Sequence, residues 1–126
     1  MTTEGVLTVG VAEVAEVAEV AEVSDETFVS TVLRSGRPVL VDFGAPWCPP
    51  CLAMTPVLQT LAAEYAGRVE VVTLNADENP ATIGRYGVLG LPTFIVFRDG
   101  AEAVRLMGAR PAAALRQVLD SVLDGA

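Results

Sequence analysis

The chain reads as an α/β domain in which a mixed sheet of about five strands carries four helices on its two faces. Three observations predict this. Apolar, β-branched runs alternate with segments of helical spacing in the order β-α-β-α-β-α-β-β-α. The run Val39-Leu40-Val41-Asp42-Phe43 is nearly unbroken in its hydrophobicity, as a strand buried on both faces requires. Late in the chain Asp99-Gly100 is a hairpin signal, which adds an antiparallel pair to the parallel β-α-β units.

Residues 11–23 repeat Val-Ala-Glu four times. A period of three suits neither a helix face nor the alternation of a strand. The expected organisation is an acidic arm over 1–19, flexible or loosely docked, ahead of one domain over 20–126. The last repeat supplies the first strand, and the surplus copies read as an expansion of it or as an interaction arm. Ser24 is placed to cap a first helix, with Asp25 and Glu26 at its positive end and Phe28, Val32 and Leu33 on one face, before Gly36 ends it. A buried strand follows over 38–43. Met54, Val57, Leu58, Leu61 and Tyr65 then recur at helical spacing up to Gly67, with Pro56 expected to kink that helix. A strand spans about 69–74. Asn79-Pro80 reads as N-cap and first-turn proline of a short helix that Gly87 closes. Strands over 93–97 and about 102–107 flank the hairpin turn, and Leu115, Val118, Leu119, Val122 and Leu123 form the apolar face of a last helix.

Composition excludes several classes. A net charge of −8 leaves no basic stripe for nucleic acid. No apolar stretch reaches eighteen residues, so no membrane span is expected. No basic residue precedes Arg34, so a secretory signal has no charged start and the expected compartment is the cytoplasm. All eight cationic residues are Arg, a bias of GC-rich coding, and histidine is absent, which removes His bases and His metal ligands.

The only two cysteines lie in Trp47-Cys48-Pro49-Pro50-Cys51, where an apolar strand meets a long helix. At the helix start, amide N–H groups and the dipole favour a thiolate at Cys48, while Cys51, one turn in, is expected to be more buried and to keep its proton longer. An exposed attacking thiol with a buried resolving thiol is what thiol–disulfide exchange needs. Zinc needs four ligands, which this chain lacks alone. Pro49 and Pro50 fix φ in the first turn and stiffen the loop. Trp47 is either a core aromatic or a lid on the site. Asp42 interrupts the buried strand, and reads either as a strand-end residue facing solvent or as a buried carboxylate of raised pKa that takes the proton of Cys51.

With Val41-Asp42-Phe43, Ala45-Pro46-Trp47-Cys48-Pro49-Pro50-Cys51, Pro56, Leu74-Asn75-Ala76-Asp77-Glu78-Asn79-Pro80, Tyr86-Gly87-Val88, Gly90-Leu91-Pro92-Thr93 and Asp99-Gly100 in this order, the chain resembles the thioredoxin family over about 20–123. The resemblance implies a thioredoxin-like three-layer α/β/α sandwich. It also implies a protein-disulfide reductase without bound cofactor or metal, in which Cys48 attacks, Cys51 resolves and Asp42 accepts the proton. Pro92 is implied to be a cis-proline facing the disulfide. Leu91 would pair through its backbone with substrate, in a groove formed with Trp47, Gly90, Gly108 and Ala109. A flavin-dependent reductase would be the electron donor, disulfide proteins such as reductases and peroxidases the substrates, and the chain a monomer. A redox-inactive binding module and a disulfide oxidase or isomerase are the alternative readings. Three residues depart from the family pattern: Pro49 in the usual Gly-Pro dipeptide, Thr73 where a lysine usually neighbours the buried aspartate, and Gly44 where a large aromatic is common. The first is expected to shift the redox poise, the second to make Asp42 harder to ionise, and the third to open the floor of the site.

Overall fold

Alternation along the strand Val39–Gly44 divides the hydrophobic interior in two. Val39, Val41 and Phe43 enter one core, while Leu40 enters the other and Asp42 shares its face. The structure, a computed structural model, describes residues 17–125; most of the expected arm, residues 1–16, and residue 126 lie outside the described residues.

The sheet runs β1 (Ala21–Val23), β3 (Glu70–Asn75), β2 (Val39–Gly44), β4 (Thr93–Arg98) and β5 (Ala101–Met107) in spatial order. The first three are parallel and the last two antiparallel to their neighbours. Against one face pack α3 (Thr55–Glu64) and α5 (Ala112–Leu123), burying Leu58, Leu61, Leu115 and Leu119 on Leu40, Val71, Phe94 and Val96. The other face receives α1 (Val29–Leu33) and α4 (Pro80–Tyr86), with Phe28, Val32 and the ring of Tyr86 over Val41, Val72 and Phe97. These are the three layers expected of the thioredoxin-like sandwich. The turn at Asp99-Gly100 has φ of 53° and 80°, the left-handed pair a tight hairpin needs.

Two details differ from the sequence reading. The first helix is not a regular α-helix. Ser24 and Thr27 cap each other, Ser24 Oγ accepting the Thr27 N–H at 3.3 Å and the Ser24 N–H donating to Thr27 Oγ1 at 2.9 Å. The chain then makes a π-helical turn that closes with the Arg34 N–H on the Val29 carbonyl at 2.9 Å. β-Branched Val29, Thr31 and Val32 weaken the α alternative, and Phe28 and Val32 are both buried. Second, the side-chain cap expected of Asn79 on α4 comes from Asp25 instead. Asp25 accepts from the Ala81 and Thr82 N–H groups and from the Thr82 hydroxyl. Asn79 accepts the Asp25 N–H at 2.7 Å and makes no side-chain cap of its own. The Thr82 hydroxyl bond holds the Asp25 carboxyl below the usual carboxylate range. The kink expected from Pro56 is present as a break at Met54, which divides the helix after the cysteines into α2 (Pro49–Ala53) and α3. Pro56 has no N–H for the Leu52 carbonyl, and the Met54 N–H tightens onto Cys51 instead at 3.0 Å.

Packing sets a clear contrast in stability. Leu119, fully buried, should lose about 2–5 kcal/mol on substitution by Ala, as read by urea denaturation. Leu89, 95% exposed, should change by less than about 0.5 kcal/mol. Equal effects at the two sites would contradict this account of the core.

Candidate active site

β2 delivers the chain at its C-terminal end to the start of α2, and the turn Ala45-Pro46-Trp47 joins them. Cys48 is the N-cap of α2, with extended backbone, and Pro49 and Pro50 occupy the first helical positions, where the missing donors cost nothing. Cys48 and Cys51 are joined in a disulfide with Cα atoms 5.2 Å apart. Cys48 Sγ also accepts the backbone N–H of Cys51 at 3.3 Å. The expected contrast in exposure is absent: Cys48 is 4% and Cys51 7% exposed. Both cysteines pack with Ala45 and Leu91 in one small cluster, so burial does not distinguish them. Cys48 holds the amide donor at the positive helix end.

The Leu91–Pro92 peptide is cis. Beside Cys48 lies a groove of ≈ 450 Å³ lined by Trp47, Ile83, Val88, Leu89, Gly90 and Leu91. Trp47 is 66% exposed, which excludes the core reading of this residue. Its Nε1–H donates to Asp77 Oδ2 at 2.6 Å, and the Asp77 N–H donates in turn to Asn75 Oδ1. Asp77 was not singled out from the sequence, because nothing in Asn75-Ala76-Asp77 marks it as an indole acceptor. The Gly108 N–H donates to the Pro92 carbonyl at 2.7 Å, so Gly108 braces the proline from the other side. Neither Gly108 nor Ala109 is among the residues that line the groove.

Asp42 is 5% exposed, which rules out the solvent-facing alternative. It faces Thr73 on β3 and Phe94 on β4. Among the described residues its Oδ1 has no hydrogen-bond partner. Burial pushes the Asp42 carboxyl up to about 7, and Thr73 offers no positive charge to oppose that shift. Gly44 stands between Asp42 and the disulfide: a Cβ at Gly44 would lie 3.5 Å from Cys51 Sγ and 3.8 Å from Asp42 Oδ1. The space it leaves is part of an open cavity of ≈ 220 Å³, bordered by Glu22, Asp42, Cys51 and Thr73. Glu22, part of the repeat, was not anticipated here; register places it beside Thr73, two strands from Asp42.

A disulfide with an amide-held sulfur on an apolar groove and a carboxyl group behind it is built for thiol–disulfide exchange. Among the described residues, no group of three or more His, Cys, Asp or Glu is arranged to hold a metal ion. No described helix is long and apolar enough to cross a membrane.

Comparison with known proteins agrees with this chemistry. The thioredoxin family model matches residues 19–121. The chain is 45% identical over 100 residues to thioredoxin 1 of Synechococcus elongatus, covering 79% of this chain and 94% of that one. It is 47% identical over 92 residues to a thioredoxin of Streptomyces clavuligerus, covering 73% and 85%. A thioredoxin of Acidithiobacillus ferridurans is 46% identical over 100 residues, covering 79% and 93%. The chain therefore belongs to the thioredoxin family and is a thiol–disulfide oxidoreductase, of the protein-disulfide reductase kind, with Cys48 and Cys51 as its redox pair.

Proposed function

We propose that Cys48 is the attacking thiolate, Cys51 the resolving thiol and Asp42 the proton acceptor in the reduction of protein disulfides. The observation that carries this reading is the Cys51 N–H aimed at Cys48 Sγ at the helix start, which favours the anionic form of that sulfur. In the reduced protein Cys48 attacks one sulfur of a substrate disulfide, and the first substrate thiolate leaves. Cys51 then loses its proton to Asp42 and attacks Cys48. The second substrate thiolate leaves and is protonated, and the protein disulfide re-forms. Trp47, Gly90, Leu91 and cis-Pro92 form the substrate platform, which exposed Leu89 extends. Gly108 holds the Pro92 carbonyl through its N–H, and Ala109 follows it at the edge of that platform.

The electron donor on this reading is a flavoprotein thioredoxin reductase, and the substrates are disulfide proteins such as reductases and peroxidases. The working form is a monomer in the cytoplasm, a compartment consistent with both cysteines serving the redox pair.

Insulin-disulfide reduction with dithiothreitol as donor tests the assignment. The unmodified chain should accelerate it, Cys48→Ser should reduce it to background, and Cys51→Ser should accumulate a mixed disulfide on Cys48. Full activity in Cys48→Ser would refute the reading. Asp42 makes a separate thermodynamic prediction. Its folded carboxyl titrates near 7, above the ~3.9 of an unfolded chain, so the folded state holds a proton that the unfolded state has released. Its contribution to stability is present at low pH, falls between about pH 4 and pH 7 by an order of 4 kcal/mol, and is flat above. Urea midpoints of oxidised wild type should follow that fall, while Asp42→Asn should not. Parallel profiles would contradict the burial argument.

A further inference from the structure

We propose that the cavity at Gly44 is a second entrance to the disulfide, through which a small neutral or cationic thiol attacks Cys51 Sγ while Asp42 takes its proton. The step rests on the redox activity of the pair but uses the other sulfur and the other side. Among the described residues the cavity shares no lining residue with the apolar groove beside Cys48. Its ≈ 220 Å³ is many times the ~10–15 Å³ that one water-sized molecule needs. That admits a thiol of a few heavy atoms and excludes a folded substrate.

Each chemical requirement of the attack is met by a residue in place. The electrophile is Cys51 Sγ, which lies 3.5 Å from the vacant Cβ position of Gly44. The base is Asp42, more than nine-tenths buried, bordering the cavity, with Oδ1 unpartnered among the described residues. The leaving group is Cys48 Sγ, whose negative charge the Cys51 N–H is already positioned to receive. The incoming sulfur bonds to Cys51, the Cys48–Cys51 bond breaks, its electron pair stays on Cys48, and the proton of the thiol passes to Asp42. A second small thiol, as its thiolate, then attacks the bound sulfur. It leaves as a small disulfide, Cys51 departs as thiolate, and Asp42 returns the proton to it. Two thiols are oxidised to one disulfide and the protein is reduced by two electrons.

Charge selects among small thiols. Glu22 and Asp42 border the cavity, and among the described residues no basic side chain does. Thr73 and Asn75 add only neutral oxygen and amide groups. An anionic thiol is therefore disfavoured against a neutral or cationic one of equal size.

The test uses full-length single-cysteine proteins, Cys48→Ser to leave Cys51 and Cys51→Ser to leave Cys48, each with Gly44, Gly44→Ala or Gly44→Val. Probes of similar length and different charge, cystamine, 2-hydroxyethyl disulfide and dithiodiglycolate, form the same mixed disulfides, and mass spectrometry follows their rates. Gly44→Val should slow adduct formation on Cys51 about tenfold and on Cys48 less than about twofold, with Gly44→Ala between. Cystamine should modify Cys51 fastest and dithiodiglycolate slowest. Equal slowing at both cysteines, no slowing at Cys51, or no charge order there would overturn the proposal. If Gly44→Val does not fold, Gly44→Ala decides, because its methyl meets Cys51 only at ordinary contact distance. Insulin reduction by the unmodified chain reads the assignment of Cys48, whereas Cys51 adduct rates read this entrance, so either proposal can fail alone.

Discussion

The burial of β2 on both faces is the constraint on which the rest depends. A strand between two hydrophobic cores leaves no place for a hydrated group, yet Asp42 lies in it at 5% exposure. Leu40 and Phe43 lock the strand into register, so the carboxyl group cannot be turned outward without taking its neighbours out of the two cores. The same register sets where β2 ends, and therefore where α2 begins with Cys48 at its cap. The buried carboxyl group and the sulfur pair are thus placed by one strand, with only Phe43 to Trp47 between Asp42 and the first cysteine.

The disulfide has two unlike sides. Toward the groove it presents Cys48 among apolar residues, with Trp47 held by Asp77 and the cis-Pro92 loop braced by Gly108. On its other side it presents Cys51 to an open cavity whose walls are partly polar. The second side exists because two positions carry small residues. Gly44 has no side chain to fill the space next to Cys51, and Thr73 stops short of Asp42 without neutralising it. A longer or charged residue at either place would change the titration of Asp42 and the access to Cys51 together, because both groups border the same space.

Much of this was legible in the residues. The succession of strands and helices along the chain, the hairpin at Asp99-Gly100, the helix ends at Pro80 and Gly87, and the cysteine pair at a strand-to-helix junction all follow from local chemistry that short-range geometry enforces. The cap of α4 involves partners far apart in the chain. Asp25 suits the positive end of its own helix, but it caps α4, 57 residues away at Thr82, because packing of α1 and α4 on the same sheet face brings them together. The break at Met54 lies ahead of Pro56, since the proline's missing donor is felt at the carbonyl four residues earlier. The two sulfurs differ less in exposure than their order in the motif implied, because Ala45 and Leu91 cover both.

By itself the sequence determined the fold class, the family and the chemical identity of the redox pair, since each rests on residue types at spacings that the backbone turns directly into geometry. Tertiary structure alone decided how the pair is surrounded. Glu22, Thr73 and Asp42 come from three strands that are far apart in the chain and neighbours only in the sheet. Trp47 and Asp77 meet only because β2 and β3 end side by side. Whether Cys51 is sealed or open behind the Cys48–Cys51 disulfide depends on the space those strands leave at Gly44, and space is a property of packing that no single motif encodes.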